Sequence, residues 1–415
     1  MKFDTIIIGG GLSGLVCGLE LQQQGKNCAI IAAGQNAMHF SSGAFNLLSF
    51  HEDGSEIEYP LEAISQLGPE HPYTKIGMEK ISSYAESIQE KFQSWGIRLH
   101  GNPKKNGYLI THLGNIRPAW MAFEDTTLLE EKNGKVAEKA LIINFDGYLD
   151  FNTAFIAQTL ENKGTQTRIV HIRLEELERL RKSATEMRSV NIARVMEDEK
   201  VWKKLVENIK GILKDEDLVV MPAVFGFKNT QVLETIQNEI PVKSMFIGTM
   251  PPSVPGIRTQ MTLKNCFTQA GGTIISGDTA KEVKIENGRI LSIKTENLDN
   301  YELEADHYVL ATGTFFSKGL MATPEEIIEP LMKLDVDYLE GRENWYDRDF
   351  FKSHAYLSFG VKTDQDFHPS LNGQNISNLY AIGSILSGFN PIDTGCGAGV
   401  AIFTALAVAD KIRNN

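Results

Sequence analysis

A doubly wound α/β fold, interrupted by a second α/β domain, is predicted for this chain by three observations. A β-branched run, a glycine turn and a helix open the sequence within about thirty residues. The middle of the chain changes character and alternates strand and helix on its own account. The last third returns to short strands that end in glycine, followed by a terminal helix. At roughly 150 residues per domain, 415 residues imply two to three domains.

Composition narrows the function classes. With 42% hydrophobic and 23% charged residues the chain is globular and too apolar for disorder. A net charge of −12 argues against a nucleic-acid binder, whose footprint is basic. No uncharged apolar stretch reaches the ~18 residues of a membrane span. Cys17, Cys28, Cys266 and Cys396 lie far apart, so no zinc or iron–sulfur ligand spacing is readable and no metal site is expected. Free thiols in so long a chain suggest a reducing compartment. Residues 5–19 are uncharged, like a signal-peptide core. Asp4 sits where positive charge belongs, however, and Gly9-Gly10-Gly11 would break a signal helix, so a cytoplasmic protein is expected.

The elements follow in order. Residues 5–8 form a buried strand, Gly9 to Gly14 a tight turn, and a helix runs to about Gln24, stopped by Gly25. Residues 28–31 are the second strand. From about 51 to 252 an inserted domain is expected, with strands at 140–145, 168–172, 218–221 and 243–247 and a helix at 151–162. Ser183-Ala184-Thr185-Glu186 reads as a capping box opening a further helix. From about 253 the first domain resumes: a helix at 261–270, strands at 273–276, 282–285, 290–295, 301–304 and 308–311, and a hairpin turn at Asn287-Gly288. Residues 326–369 are loop-rich and are expected to return to the inserted domain. Residues 370–415, with a strand at 379–382 and the terminal helix, complete the first domain, which is thus built from 1–50, 253–325 and 370–415.

Gly9-x-Gly11-x-x-Gly14 is weak evidence alone, but here it links a strand to a helix. The first glycine permits the turn, the second lets a phosphate approach the backbone, and the third lets helix pack on strand. Leu12 and Ser13 open the helix whose N-terminus faces the anion. One feature of the dinucleotide pattern is missing. An acid should stand about 20 residues on to bind the adenosine ribose, yet the strand ends Ile31-Ala32-Ala33-Gly34 and no acid lies between Glu20 and Glu52. Either backbone groups and neighbouring segments hold a full dinucleotide, or the ligand is a mononucleotide.

Two further segments turn the reading towards flavin. Val309-Leu310-Ala311-Thr312-Gly313 ends one strand, and Tyr380-Ala381-Ile382-Gly383 ends another, followed by Gly395-Cys396-Gly397-Ala398-Gly399 and a helix. That helix N-terminus would stabilise negative charge on a reduced flavin. Ser384 stands where relatives of this pattern carry an acid. Together these features predict a Rossmann-like two-domain flavoprotein with an inserted second α/β domain, binding FMN or alternatively FAD.

Residues 3–15, His39-Phe40-Ser41-Ser42-Gly43, Ala184-Thr185-Glu186-Met187-Arg188, Val190-Asn191-Ile192-Ala193-Arg194, Pro251-Pro252-Ser253-Val254-Pro255-Gly256-Ile257-Arg258, Gly313-Thr314-Phe315-Phe316-Ser317, Trp345-Tyr346 with Asp349-Phe350-Phe351, and Ile382-Gly383-Ser384 through Gly399 run in order along nearly the whole chain. In this set the chain resembles the B subunits of bacterial anaerobic glycerol-3-phosphate dehydrogenases. The resemblance implies oxidation of sn-glycerol 3-phosphate to dihydroxyacetone phosphate with electrons passed to quinone. It also implies FMN in this chain, an FAD-containing catalytic partner (the A subunit of such complexes), and an iron–sulfur, membrane-associated partner (the C subunit) that would hold the complex at the inner face of the cell membrane. The missing ribose acid independently fits FMN.

Ser41, Ser42 and Gly43 follow the second strand, where loops face the ligand crevice, and are candidates for flavin phosphate or ribityl oxygens. His39 is either the base that takes the substrate hydroxyl proton or a hydrogen-bonded structural histidine. Arg258 suits a substrate phosphate, with an ion pair as the alternative. Arg188, Asn191 and Arg194 share one helix face and line a phosphate site, an inter-subunit surface or a solvated face. Ten basic and seven acidic residues between 168 and 205 leave no nucleic-acid patch. Cys396, at a helix start, is either redox-active or a packed small residue.

Overall fold

The computed structural model describes residues 1–183 and 186–414. The chain divides into two compact units. Unit 1 comprises Met1–Ala37, Asn46–Lys91 and Gln260–Asn415; unit 2 comprises Met38–Phe45 and Phe92–Thr259.

Unit 1 is built on a parallel five-stranded sheet in the order Thr273–Ser276, Cys28–Ala32, Lys2–Ile8, Glu304–Leu310, Leu379–Ala381. The central strands are apolar without alternation because both faces are covered: Ile6, Ile7, Ile30, Val309 and Leu310 have no exposed surface. The helix Leu12–Gln23 follows the first strand and stops at Gly25, whose φ of +83° suits glycine. It packs on the terminal helix Gly397–Asn414. The strands Ala280–Glu286 and Arg289–Thr295 form the expected hairpin, with Asn287 and Gly288 both at positive φ. Residues 301–304 are not a separate strand. They contribute one isolated bridge, Ile293–Leu303, before the strand Glu304–Leu310.

Unit 2 carries a second parallel sheet, in the order Gln166–Ile172, Lys139–Phe145, Leu218–Pro222, Lys243–Ile247. The helix Thr153–Asn162, capped by Asn152, joins the first two of these strands in sequence. The helix Glu199–Ile212 starts at Asp198 and buries Val201, Trp202, Leu205, Val206 and Ile209, the stripe of an amphipathic helix. These side chains and the strands form one apolar core. Two three-stranded antiparallel sheets complete the unit. One joins Ala44–Phe45, Met121–Phe123 and Leu99–Gly101; the other joins Ile116–Ala119, Gly107–Ile110 and Leu128–Leu129.

The division differs from the expected one at four places. Residues 38–45 and 253–259, expected in the first domain, belong to unit 2. Residues 51–91 belong to unit 1, not to the insertion. Buried Tyr73 donates to Leu47 O at 2.7 Å, and its ring lies 6.1 Å from Phe403 of the terminal helix. Residues 326–369 also stay in unit 1, because Ala381 N donates to Phe367 O at 2.9 Å and ties that segment to the last strand. The helix expected at 261–270 begins earlier, at Val254, with Pro255 in its first turn where no N–H is needed. The capping box at 183–186 falls partly outside the described residues; the helix after it is Ser189–Val195.

Candidate functional site

In unit 1 the glycine segments meet at the carboxyl ends of the parallel strands, the edge where open α/β sheets bind ligands. Gly9 has a φ of +123°, and a Cβ there would lie 2.2 Å from Ala311 O. A Cβ at Gly14 would lie 1.9 Å from Gly9 O, so helix and turn touch backbone to backbone. Gly11 differs. It is the N-cap of the helix Leu12–Gln23, has no side-chain cap, and a Cβ there would meet nothing within 4 Å. The helix thus starts with orphan N–H groups beside open space, which suits a phosphate.

The other loops close on this turn. A Cβ at Gly383 would lie 2.6 Å from Ser13 Oγ, and Gly383 N donates to Thr404 Oγ1 of the terminal helix at 2.9 Å. A Cβ at Gly313 would lie 2.3 Å from Ser317 Oγ and 3.5 Å from Ser384 Oγ. Between Ala311 and Gly313, the buried Thr312 Oγ1 has no hydrogen-bond partner among the described residues. A buried hydroxyl left unpaired is costly, so this orphan beside the open turn fits a polar ligand. In the sequence Thr312 is legible only as the middle of the Ala-Thr-Gly motif, with nothing to mark its hydroxyl.

Gly395, at a φ of +59°, passes Ser49, and Gly397 and Ala398 open the terminal helix. Cys396 is fully buried, and Thr394 Oγ1 donates to its sulfur at 3.2 Å. Burial pushes the thiol up to about 12, against the lowering effect of the Thr394 hydroxyl and a backbone hydrogen bond, so the thiol is a packed group.

The ribose end of the cradle matches the missing acid. After Ala32 the chain turns away, and Asn36 Nδ2 donates to Gly10 O at 2.9 Å. The neighbouring strand end carries Asp278, but that carboxylate accepts from Thr295 Oγ1 at 2.6 Å, Thr279 N at 2.8 Å and Asn297 N at 3.0 Å. These hydrogen bonds hold it below the usual carboxylate range against a desolvation effect of opposite sign, and no oxygen is left over for a ribose.

His39, Ser41, Ser42, Gly43 and Arg258 all belong to unit 2. His39 O accepts from Ser253 N at 2.7 Å, and Ser41 Oγ accepts from Gly43 N at 3.2 Å. Ser42 O would lie 2.8 Å from a Cβ at Gly248, and a Cβ at Gly256 would strike Met38 O at 1.8 Å. The 38–45 excursion is therefore clamped against the 248–256 segment of its own unit. Arg258 forms an ion pair and does not stand free for a substrate phosphate. Only 7% exposed, it sets Nη2 2.7 Å from Asp125 Oδ1 and donates from Nη1 to Gly226 O at 3.0 Å and Phe225 O at 3.3 Å. Asp125 is fully buried, and neither oxygen accepts a well-aligned hydrogen bond among the described residues. The pairing is charge on charge, and Arg258 is its counter-ion. Nothing in the spacing of residues 125 and 258 announces it.

The chain is similar to known proteins over nearly its whole length. The model of the FAD binding domain family matches residues 4–400. The B subunit of anaerobic glycerol-3-phosphate dehydrogenase from Pectobacterium atrosepticum is 37% identical, with 99% of each chain covered. The protein of that name from Actinobacillus pleuropneumoniae is 35% identical over 99% of each chain. Among solved structures, 3-ketosteroid delta1-dehydrogenase from Sterolibacterium denitrificans aligns over 100% of this chain and 99% of its own, at 11% identity and a TM-score of 0.47.

Proposed function

The chain belongs to the family of anaerobic glycerol-3-phosphate dehydrogenase B subunits, within the FAD binding domain proteins, and from that membership we propose that it is a flavin-bearing subunit that oxidises sn-glycerol 3-phosphate to dihydroxyacetone phosphate in a multi-subunit, quinone-reducing dehydrogenase. The observation that carries this reading is the closure of three glycine loops into one cradle that leaves Gly11 open and Thr312 Oγ1 unpaired.

A bound flavin supplies a two-electron acceptor at the cradle. The chain's residues do the rest. The N–H groups at the start of the helix Leu12–Gln23 hold a phosphate, favoured by the positive end of the helix. In this reading the hydroxyls of Thr312 and Ser384 bind ligand oxygens; the unpaired Thr312 Oγ1 supports it. His39 is assigned as the acceptor of the substrate hydroxyl proton. Arg258 is a positioning residue that keeps Asp125 compensated and the 225–226 turn in place.

FMN is the flavin in this reading, because the only acid at the neighbouring strand end among the described residues, Asp278, is fully engaged; the family model's name makes FAD the alternative. The partners are the FAD-containing catalytic A subunit and the iron–sulfur, membrane-associated C subunit. No described helix of this chain is long and apolar enough to cross a membrane, and the iron–sulfur partner supplies the membrane contact.

The engagement of Arg258 favours a second reading, an electron-relay protein whose substrate is oxidised elsewhere in the complex. Anaerobic addition of glycerol 3-phosphate to the purified full-length flavoprotein separates the two. Bleaching of the flavin band supports oxidation by this chain. No bleaching, in a preparation that a chemical reductant bleaches, leaves the relay.

A further inference from the structure

The second parallel sheet has its own switch point. In sequence its strands run Lys139–Phe145, Gln166–Ile172, Leu218–Pro222, Lys243–Ile247, while in space the first strand lies between the second and the third. Chain direction across the sheet therefore reverses beside Lys139–Phe145, and ligands of such sheets bind outside the carboxyl ends at that place. The loop leaving that strand carries Asp150.

Asp150 is 6% exposed, and its Oδ2 has no hydrogen-bond partner among the described residues. Its Oδ1 lies 3.3 Å from Arg188 Nη1. The Arg188 side chain is 46% exposed and donates from Nη2 to Pro251 O at 3.3 Å. A half-exposed guanidinium beside an orphaned buried carboxylate oxygen offers donors and an acceptor side by side. His112 lies at the tip of the hairpin between Gly107–Ile110 and Ile116–Ala119; burial lowers its pKa, and the charge of Asp150 opposes that shift. Burial pushes the Asp150 carboxyl up while the charges of Arg188 and His112 pull it down.

The cluster is held in place from the backbone. Met250 N donates to Asp150 O at 2.9 Å. Ser189 Oγ, next to Arg188, bonds Thr249 Oγ1 at 2.7 Å and Tyr148 OH at 2.6 Å. Three residues beyond Met250, Ser253 N donates to His39 O. One short segment, 249–253, thus fastens Asp150, Arg188 and His39 together.

We propose that Asp150 and Arg188, with His112 beside them, form the recognition site for a small hydroxylated phosphate, in which Asp150 Oδ2 takes a ligand hydroxyl and Arg188 takes the phosphate. The proposal rests on the reading of the chain as a polyol-phosphate oxidoreductase and replaces Arg258 as the phosphate receptor. An acceptor next to the cation disfavours a bare anion and rewards one that brings a hydroxyl, which is selectivity by an unpaired polar group.

Anaerobic calorimetric titration of the flavoprotein, its flavin first reduced chemically so that no substrate can be oxidised, with sn-glycerol 3-phosphate, glycerol and inorganic phosphate tests this without turnover. Glycerol 3-phosphate should bind more tightly than either fragment. Arg188→Gln, used only if its thermal midpoint and flavin content match the wild type, should weaken glycerol 3-phosphate and phosphate at least about tenfold; Asp150→Asn, which leaves no buried charge unpaired, keeps the proposal testable if it does not. Asp150→Asn should weaken glycerol 3-phosphate and spare phosphate, removing the preference. Arg188→Lys should restore part of the phosphate affinity. Wild-type affinities in both Arg188→Gln and Asp150→Asn would overturn the proposal; if those variants also bleach normally with glycerol 3-phosphate, the oxidoreductase reading survives it. Binding of a different hydroxylated phosphate with the same dependence on both residues would support the site and overturn glycerol 3-phosphate as the substrate.

Discussion

A methyl group at Gly11 would enter open space, whereas one at Gly14 would strike Gly9 O at 1.9 Å. The two glycines of one motif therefore answer to different demands. Gly11→Ala should leave the thermal midpoint nearly unchanged and strip flavin on gel filtration, while Gly14→Ala should lose flavin and stability together. Arg258 works at the same scale. Arg258→Leu strands the Asp125 charge in the interior and should cost about 3–5 kcal/mol in denaturant unfolding, and adding Asp125→Leu should recover most of it. His71 gives the fold a pH dependence. Its ring Nδ1 accepts from Tyr73 N at 3.1 Å, and burial lowers its pKa from an ordinary 6.5 to about 4. The unfolded chain then binds the proton first, so stability is complete above 6.5 and falls as pH drops towards 4, by up to about 3 kcal/mol. Urea titrations across that window should show the loss, and His71→Asn should flatten it.

At the scale of elements, the sequence was legible where one local rule decides. The first strand, the glycine turn, the Gly25 stop and the Asn287-Gly288 hairpin each follow from a few neighbouring residues, and all are present. The four strands of the second sheet were found from their apolar runs. What stayed hidden was pairing over distance. Arg258 with Asp125, and Asp150 with Arg188, join residues far apart in sequence, and no periodicity encodes such pairs. The end of the second strand is the element where a single residue tests the choice of flavin. Ala32 stands where a ribose acid belongs, so Ala32→Glu should raise the fraction of FAD over FMN in flavin released by denaturation and identified by mass. Wild-type protein that already releases only FAD would show that other groups hold the ribose.

On the scale of the whole molecule, the sequence correctly announced one α/β unit interrupted by another, but drew the borders by composition. Residues 51–91 are largely helical and residues 326–369 loop-rich, yet a few buried anchors such as Tyr73 and Phe367 hold both in unit 1. A chain of this family working in a complex should co-fractionate with flavin and iron–sulfur partners in native extract, and one that always migrates alone would argue against that assembly. The strand order of unit 1 also sets a timetable. Lys2–Ile8 pairs with Glu304–Leu310, so during synthesis the earlier strand waits for a neighbour about three hundred residues behind it. At about 5–20 residues per second that delay is roughly 15–60 s, and Gly383 and the terminal helix emerge later still. Most of unit 2, residues 92–259, is synthesised whole in the interval. Nascent chains stalled before residue 304 should therefore carry a protease-resistant core while the strand Lys2–Ile8 remains open to digestion, and the cofactor can be loaded only after Gly383 and the helix Gly397–Asn414 have emerged.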